Sequence, residues 1–182
     1  PDDNRHRHSV PMLEAFARRF KLRTSRAILG FANDTQQEIA LLYDPERVTV
    51  SHDPKGESLP VPGQSPRFDG TMPIDLDTDG SPEPVRFNKP PLEVALTTAA
   101  GRALRLIGVH VKSKAPHGAN DEAHARRRAI QNRRKQMAEC LWLRARIEEH
   151  LKAGDSLLVM GDFNDGPGLD EYETLFGRSG LD

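Results

Sequence analysis

Four side chains of this 182-residue sequence have the types and spacing to act on a phosphate ester. His110 and Lys112 stand two apart in Val109-His110-Val111-Lys112-Ser113-Lys114, and Asp162 and Asn164 stand two apart in Gly161-Asp162-Phe163-Asn164-Asp165. Side chains alternate along an extended chain, so His110, Lys112 and Lys114 share one face, and Asp162 and Asn164 share another. Hydrolysing a phosphoester asks for a base that orients and deprotonates water, and for an acid or cation near the leaving oxygen. It also asks for donors to the equatorial oxygens, usually with a divalent metal. Asp162 can be the base, Asn164 a phosphate donor or metal ligand, and His110 the acid or a phosphate donor, while Lys112 adds positive charge. No serine-hydrolase elbow, P-loop or paired-cysteine zinc pattern offers competing chemistry. The plainer readings are an edge strand guarded by lysines, which suits Lys114 better than His110, and a turn over Asn164 to Pro167.

The elements that must position these groups follow from the flanking pattern. Leu157-Leu158-Val159-Met160 is a four-residue apolar run, read as a strand buried on both faces that delivers Asp162 and Asn164 at its end. Leu92 to Leu96 and Ala103 to Val109, joined by Thr97 to Arg102 with Gly101, form a β-hairpin whose second strand continues through His110 to Lys114. Between them a helix is expected from about Asp121 to Leu151, with Ile130, Met137, Cys140, Leu141, Arg144, Ile147 and Leu151 near one stripe. Cys140 and Trp142 are read as packing residues. Its basic start (Arg126, Arg127, Arg128, Arg133, Arg134, Lys135) reads first as a solvated face and second as a nucleic-acid surface. Upstream, Ser9 and Pro11 open a helix whose Leu13, Phe16, Ala17 and Phe20 pack on a sheet. Short strands are expected at Ala27 to Phe31, Glu38 to Tyr43 and Val48 to Val50, and a last helix around Tyr172, Leu175 and Phe176. His6 and His8 belong to a polar start, where metal binding is the lesser reading.

Composition narrows the classes. Hydrophobic residues at 36% and charged residues at 29% describe a water-exposed globular chain, and a net charge of −1 leaves nucleic-acid or anionic-membrane binding to local patches. The single Cys140 excludes an internal disulfide and leaves the compartment open. No apolar run is long enough to cross a membrane. Residues 51–91 hold nine of the fourteen prolines and lose all hydrophobic periodicity, so they are read as one long Pro/Gly/Asp-rich insertion loop. Within it, Asp75, Asp77 and Asp79 before Gly80 match the first half of a calcium loop. Arg86 stands where the closing Glu belongs, and Glu83 is the available substitute; a merely acidic turn is the alternative.

Four segments in order resemble the endonuclease/exonuclease/phosphatase superfamily, the deoxyribonuclease I-like proteins. They are Ile39-Ala40-Leu41-Leu42-Tyr43, Phe87-Asn88-Lys89-Pro90-Pro91-Leu92-Glu93-Val94, Val109-His110-Val111-Lys112-Ser113-Lys114 and Val159-Met160-Gly161-Asp162-Phe163-Asn164-Asp165. The likeness covers about residues 10–177, and Gly-Asp-Phe-Asn is its most specific motif. It implies an α/β (α+β) chain, a four-layer sandwich of two mixed sheets flanked by helices, and a metal-dependent hydrolase of phosphate esters. Mg²⁺ is the expected metal, with Mn²⁺ or Ca²⁺ as alternatives. A nuclease is the leading expectation. A phospholipid or inositol-phosphate hydrolase and a non-catalytic interaction module are the others. Carried over, His110 resembles the active-site histidine of the nuclease branch, and Asp162 and Asn164 the pair that orients water and contacts metal or phosphate. Departures are equally specific. The family's metal-binding Asn and Glu would precede residue 1, and its closing Asp-His pair would follow residue 182. Glu38, His117 and His124 do not replace them, and Gln36-Gln37-Glu38 stands where the family often has Arg-Gly. One partial domain spanning 1–182 is therefore expected, incomplete at both ends, with weak metal binding and negligible turnover on its own.

Overall fold

The computed structural model describes residues 9–33, 37–75 and 79–165. They form α1 (Ser9–Arg19), β1 (Arg26–Leu29), β2 (Ala40–Tyr43), β3 (Val48–His52), β4 (Met72–Ile74) and β5 (Glu83–Val85). Then follow β6 (Leu92–Thr98), β7 (Ala103–His110), α2 (Glu122–Lys152) and β8 (Leu157–Asp162). This is a mixed α+β arrangement, with one mixed four-stranded sheet of order β3-β6-β7-β8 and two two-stranded sheets, β1-β2 and β4-β5. No helix among the described residues is long and apolar enough to cross a membrane.

The hairpin expected from the sequence is β6-β7, paired from Leu92↔Gly108 to Thr97↔Ala103. β8 then lies parallel to β7, and parallel neighbours need a long crossover. α2 supplies it. Its start is fixed by Asp121, whose carboxylate accepts from the His124 backbone N–H at 2.7 Å.

β7 alternates between two cores. Ile107, Val109 and then Val111 pack with Ala138, Cys140, Trp142 and Leu143 of α2. On the opposite face, Leu106 joins Leu92 and Val94 under Ile39 and Leu41. Gly108 is small because the β1-β2 side comes close: a Cβ there would sit 3.1 Å from Ile39 Cγ2. His110 falls on this second face, at the open end of its strand.

Several expectations need correction. β8 is half-buried on one face, through Leu157 and Val159, while Leu158 and Met160 on the other remain 42% and 46% exposed. It is also an edge strand, with β7 as its sole partner among the described residues. β7 stops at His110, so Lys112 and Lys114 lie beyond the strand. Residues 51–91 do not form a bare loop: β4 and β5 pair through Met72↔Val85, and Phe68 and Phe87 enter the core against Trp142. The Trp142 indole N–H donates to the Pro66 carbonyl at 3.0 Å, tying that segment to α2. In α1 only Ala17 is buried, while Phe16 and Phe20 are exposed and pair with each other. His6, His8 and the helix expected around Tyr172 lie outside the described residues.

The buried side of α2 also differs from the expected stripe. Arg144, Leu141 and Leu151 are exposed, whereas Gln136, Glu139, Arg146 and His150 are buried. The reason is a polar core layer. His150 bridges Glu93 and Asp155, each at 2.8 Å, and Arg146 donates to the Lys55 and Ser65 carbonyls at 2.8 and 3.0 Å. Charges paired in this way are tolerated away from water, which apolar periodicity cannot reveal. Cys140 and Trp142 do pack as expected, and burial pushes the Cys140 thiol up to about 12.

Candidate functional site

β7 and β8 bring the two chemistry-bearing segments to one place. In the parallel register His110 stands beside Asp162, the last pair of the ladder. One more bond, from the Val111 N–H to the Asp162 carbonyl at 2.9 Å, closes the end of the sheet. Gly161 makes the approach feasible. Its φ is +144°, and a Cβ would lie 2.0 Å from the Val109 carbonyl oxygen, inside any tolerable contact.

Beyond Asp162 the chain turns. Asp162 Oδ1 accepts from the Asn164 backbone N–H at 2.9 Å, while Asn164 takes a left-handed φ of +49° and its carboxamide donates to the Val111 carbonyl at 2.8 Å. The bond from the Asn164 N–H to Asp162 makes a turn that orients the pair, while the turn expected over Asn164 to Pro167 lies partly outside the described residues. Phe163 packs into the α2-side core, as alternation requires. Gln136 of α2 donates to the Phe163 and Asn164 carbonyls, each at 3.1 Å, and Lys114 holds Asp165 at 2.6 Å. The Phe163 and Asn164 carbonyls are thus tied to α2, and the Asp165 carboxylate to the segment after β7.

Asp162 Oδ2 faces His110 Nε2 at 3.8 Å. That gap is too long for a hydrogen bond, yet one oxygen roughly 2.8 Å from each atom fits between them. Lys89 approaches the same ring, with Nζ 2.9 Å from Nε2 and 3.3 Å from Nδ1. Burial lowers the His110 pKa, Lys89 lowers it further, and Asp162 opposes both. His110 is thus held neutral at pH 7, and its contact with Asp162 is polar rather than an ion pair. Lys89 is itself lowered, first by burial and also by Lys112, with Asp162 acting against.

The structure unites His110, Asp162 and Asn164. Lys112 enters differently from expected: its backbone N–H donates to Glu139 Oε2 at 2.7 Å, and its charge is felt at Lys89. Lys89 and Glu139 are the groups that sequence reading passed over. Lys89 sits in Asn88-Lys89-Pro90-Pro91, where the two stiff prolines before β6 were the available signal. Glu139 is 1% exposed, and its Oε1 has no hydrogen-bond partner among the described residues. Burial pushes it up to about 7, against the Lys112 N–H and Lys135. Lys135 in turn donates to the Asn88 side chain.

For a metal, the site offers the oxygens of Asp162 and Asn164. Among the described residues no group of three or more His, Cys, Asp or Glu side chains is placed to hold an ion. Two hard oxygen donors suit Mg²⁺, which keeps much of its water and takes one or two carboxylates plus substrate phosphate. In the acidic triplet, Asp77 lies outside the described residues. Asp75 accepts from the Gly80 N–H at 2.9 Å and Asp79 from the Ser81 N–H at 2.7 Å, so each spends an oxygen on the turn itself. No family model matches the chain, and neither curated proteins nor solved structures give a match.

Proposed function

We propose that this chain is a metal-dependent phosphoesterase, and specifically a nuclease that hydrolyses phosphodiester bonds by in-line attack of an activated water. The observation that carries this reading is the pairing of His110 with Asp162 at the carboxyl ends of two parallel strands. Ligands of open sheets bind at that end, beyond the strands. The wider architecture proposed with it is a four-layer sandwich of two mixed sheets flanked by helices. Its support is the β1-β2 hairpin on one face of the central sheet and α2 on the other.

In this reading Asp162 Oδ2 accepts the proton of the attacking water. Asn164, pinned through its amide to Val111, would offer its carboxamide oxygen to metal or phosphate. Lys89 and the neutral His110 ring supply donors to phosphoryl oxygens, and Lys112 adds charge. Mg²⁺, with Mn²⁺ or Ca²⁺ as alternatives, would be held through Asp162 and Asn164 and would supply charge neutralisation and a more acidic water.

The cations around His110 favour a polyanionic substrate over a lipid. Exposed Leu158 and Met160 on the strand leading to Asp162 favour the second reading, a phospholipid hydrolase. A panel decides: plasmid, single-stranded oligonucleotide, sphingomyelin and inositol phosphates, each offered to the full-length protein with Mg²⁺ or with EDTA. Nucleic-acid cleavage that EDTA abolishes is expected. Cleavage of lipid alone overturns the nuclease assignment, and cleavage of nothing overturns the phosphoesterase.

A further inference from the structure

Asn164 stands in the left-handed region, at φ +49°, which a residue other than glycine adopts at a cost. Such a conformation persists where its surroundings over-determine it. The Asn164 N–H donates to Asp162 and its carboxamide to the Val111 carbonyl, both at the β7-β8 end of the sheet. The third bond comes from outside the sheet. Gln136 Nε2 of α2 donates at 3.1 Å to the Asn164 carbonyl, and at 3.1 Å to the Phe163 carbonyl before it.

Gln136 is 2% exposed. An amide taken out of water destabilises the fold unless its donors are met, a condition that an apolar side chain of similar size would not impose. Asn132, Gln136 and Glu139 share one face of α2, three or four residues apart. Asn132 donates to the Ala115 carbonyl and Glu139 accepts from the Lys112 N–H, each at 2.7 Å, so both brace the segment after β7. Of these three, Gln136 is the one bonded to the turn that carries Asn164.

Resting on the phosphoesterase reading, we infer that Gln136 is a positioning residue of the reaction. Through the two carbonyls it fixes the turn that presents Asn164 beside Asp162, and it acts on turnover rather than on substrate binding. Lys89 and Lys112 belong to other segments, so the charge offered to phosphate survives the loss of Gln136. Displacing a group by about 1 Å at a reacting centre can slow a reaction about a hundredfold.

The test compares the full-length parent with two variants. Gln136→Met keeps the unbranched shape and removes both donors. Asn132→Ala loses a bond of the same helix face and none of the Asn164 turn. Cleavage of a single-stranded oligonucleotide with Mg²⁺ gives kcat and KM, and ¹⁵N relaxation without metal gives backbone order parameters. In Gln136→Met, kcat should fall about ten- to a hundredfold, with KM within about twofold of the parent. The Asn164 order parameter should drop from about 0.85 towards 0.6, while the amides of β7 and β8 stay rigid. Asn132→Ala should keep the parent's kcat and a rigid Asn164. If Gln136→Met does not fold, Gln136→Asn retracts the same amide by one methylene and should show the same split. A rigid Asn164 in the Gln136 variant overturns the inference, as does a raised KM at unchanged kcat. An equal loss of kcat in both variants reduces Gln136 to a structural role and overturns it too. A parent that hydrolyses nothing overturns the phosphoesterase reading instead, and the order parameters then decide whether Gln136 holds the turn.

Discussion

Asp162→Asn in the full-length protein should lower metal-dependent turnover by about two to four orders of magnitude while leaving folding intact. The substitution is chosen for what it preserves. An amide oxygen still accepts from the Asn164 N–H, so the turn that orients Asn164 survives, and the backbone carbonyl still receives the Val111 N–H. What disappears is the negative charge facing His110 across 3.8 Å, and with it the acceptor for the proton of the attacking water. Removal of a positioned general base typically costs about 10²–10⁴ in rate, or roughly 3–5 kcal/mol in the barrier. Turnover and thermal unfolding measured on the same preparation separate the two effects. Parent-like turnover in a folded variant removes Asp162 from the mechanism.

The second large effect concerns Glu139, which ties the Lys112 backbone to α2 beside the site. Its carboxyl is lifted from 4.5 to about 7, chiefly because burial penalises the charged form. A folded-state value above the unfolded one means the folded chain holds this proton more tightly. The group therefore costs nothing below about pH 4.5, costs progressively more as pH rises to about 7, and is constant above that. At 1.36 kcal/mol per pKa unit the loss across the window is roughly 3 kcal/mol. Glu139→Gln keeps an acceptor for the Lys112 N–H but cannot ionise. Urea unfolding from pH 4.5 to 8 should show the parent losing stability relative to the variant through that window. Parallel stability curves would exclude Glu139 as the titrating group.

What the sequence made legible, and what it hid, follows the range of the interactions involved. β6-β7, α2 and β8 came from local periodicity and turn residues, and so did the alternation that points Phe163 inward and Asp162 outward. The pairing of His110 with Asp162 was implied only by motif likeness, because it depends on a parallel register set across a 31-residue helix. Lys89 and Glu139 stayed hidden for the same reason: one arrives from a proline-stiffened bend and the other from a helix face that looked wrong for burial. Glu139, Arg146 and His150 break the apolar stripe of α2, since their partners are the Lys112 N–H after β7, the Lys55 and Ser65 carbonyls, and Glu93 of β6 with Asp155. The aromatic contribution of Phe68 and Phe87 was invisible because two rings in a proline-rich segment make no period. Conversely, four apolar residues in β8 overstated its burial. An edge strand with one open face has the same local sequence as a central one.

Cleavage of a phosphodiester in ¹⁸O-enriched water by the full-length protein, with Mg²⁺ present, tests the central claim most directly. Mass spectrometry of the product should find one ¹⁸O per broken bond, carried on phosphorus, and no product when EDTA replaces Mg²⁺. Unlabelled product phosphate, or cleavage indifferent to EDTA, would contradict attack by a water held between Asp162 and His110.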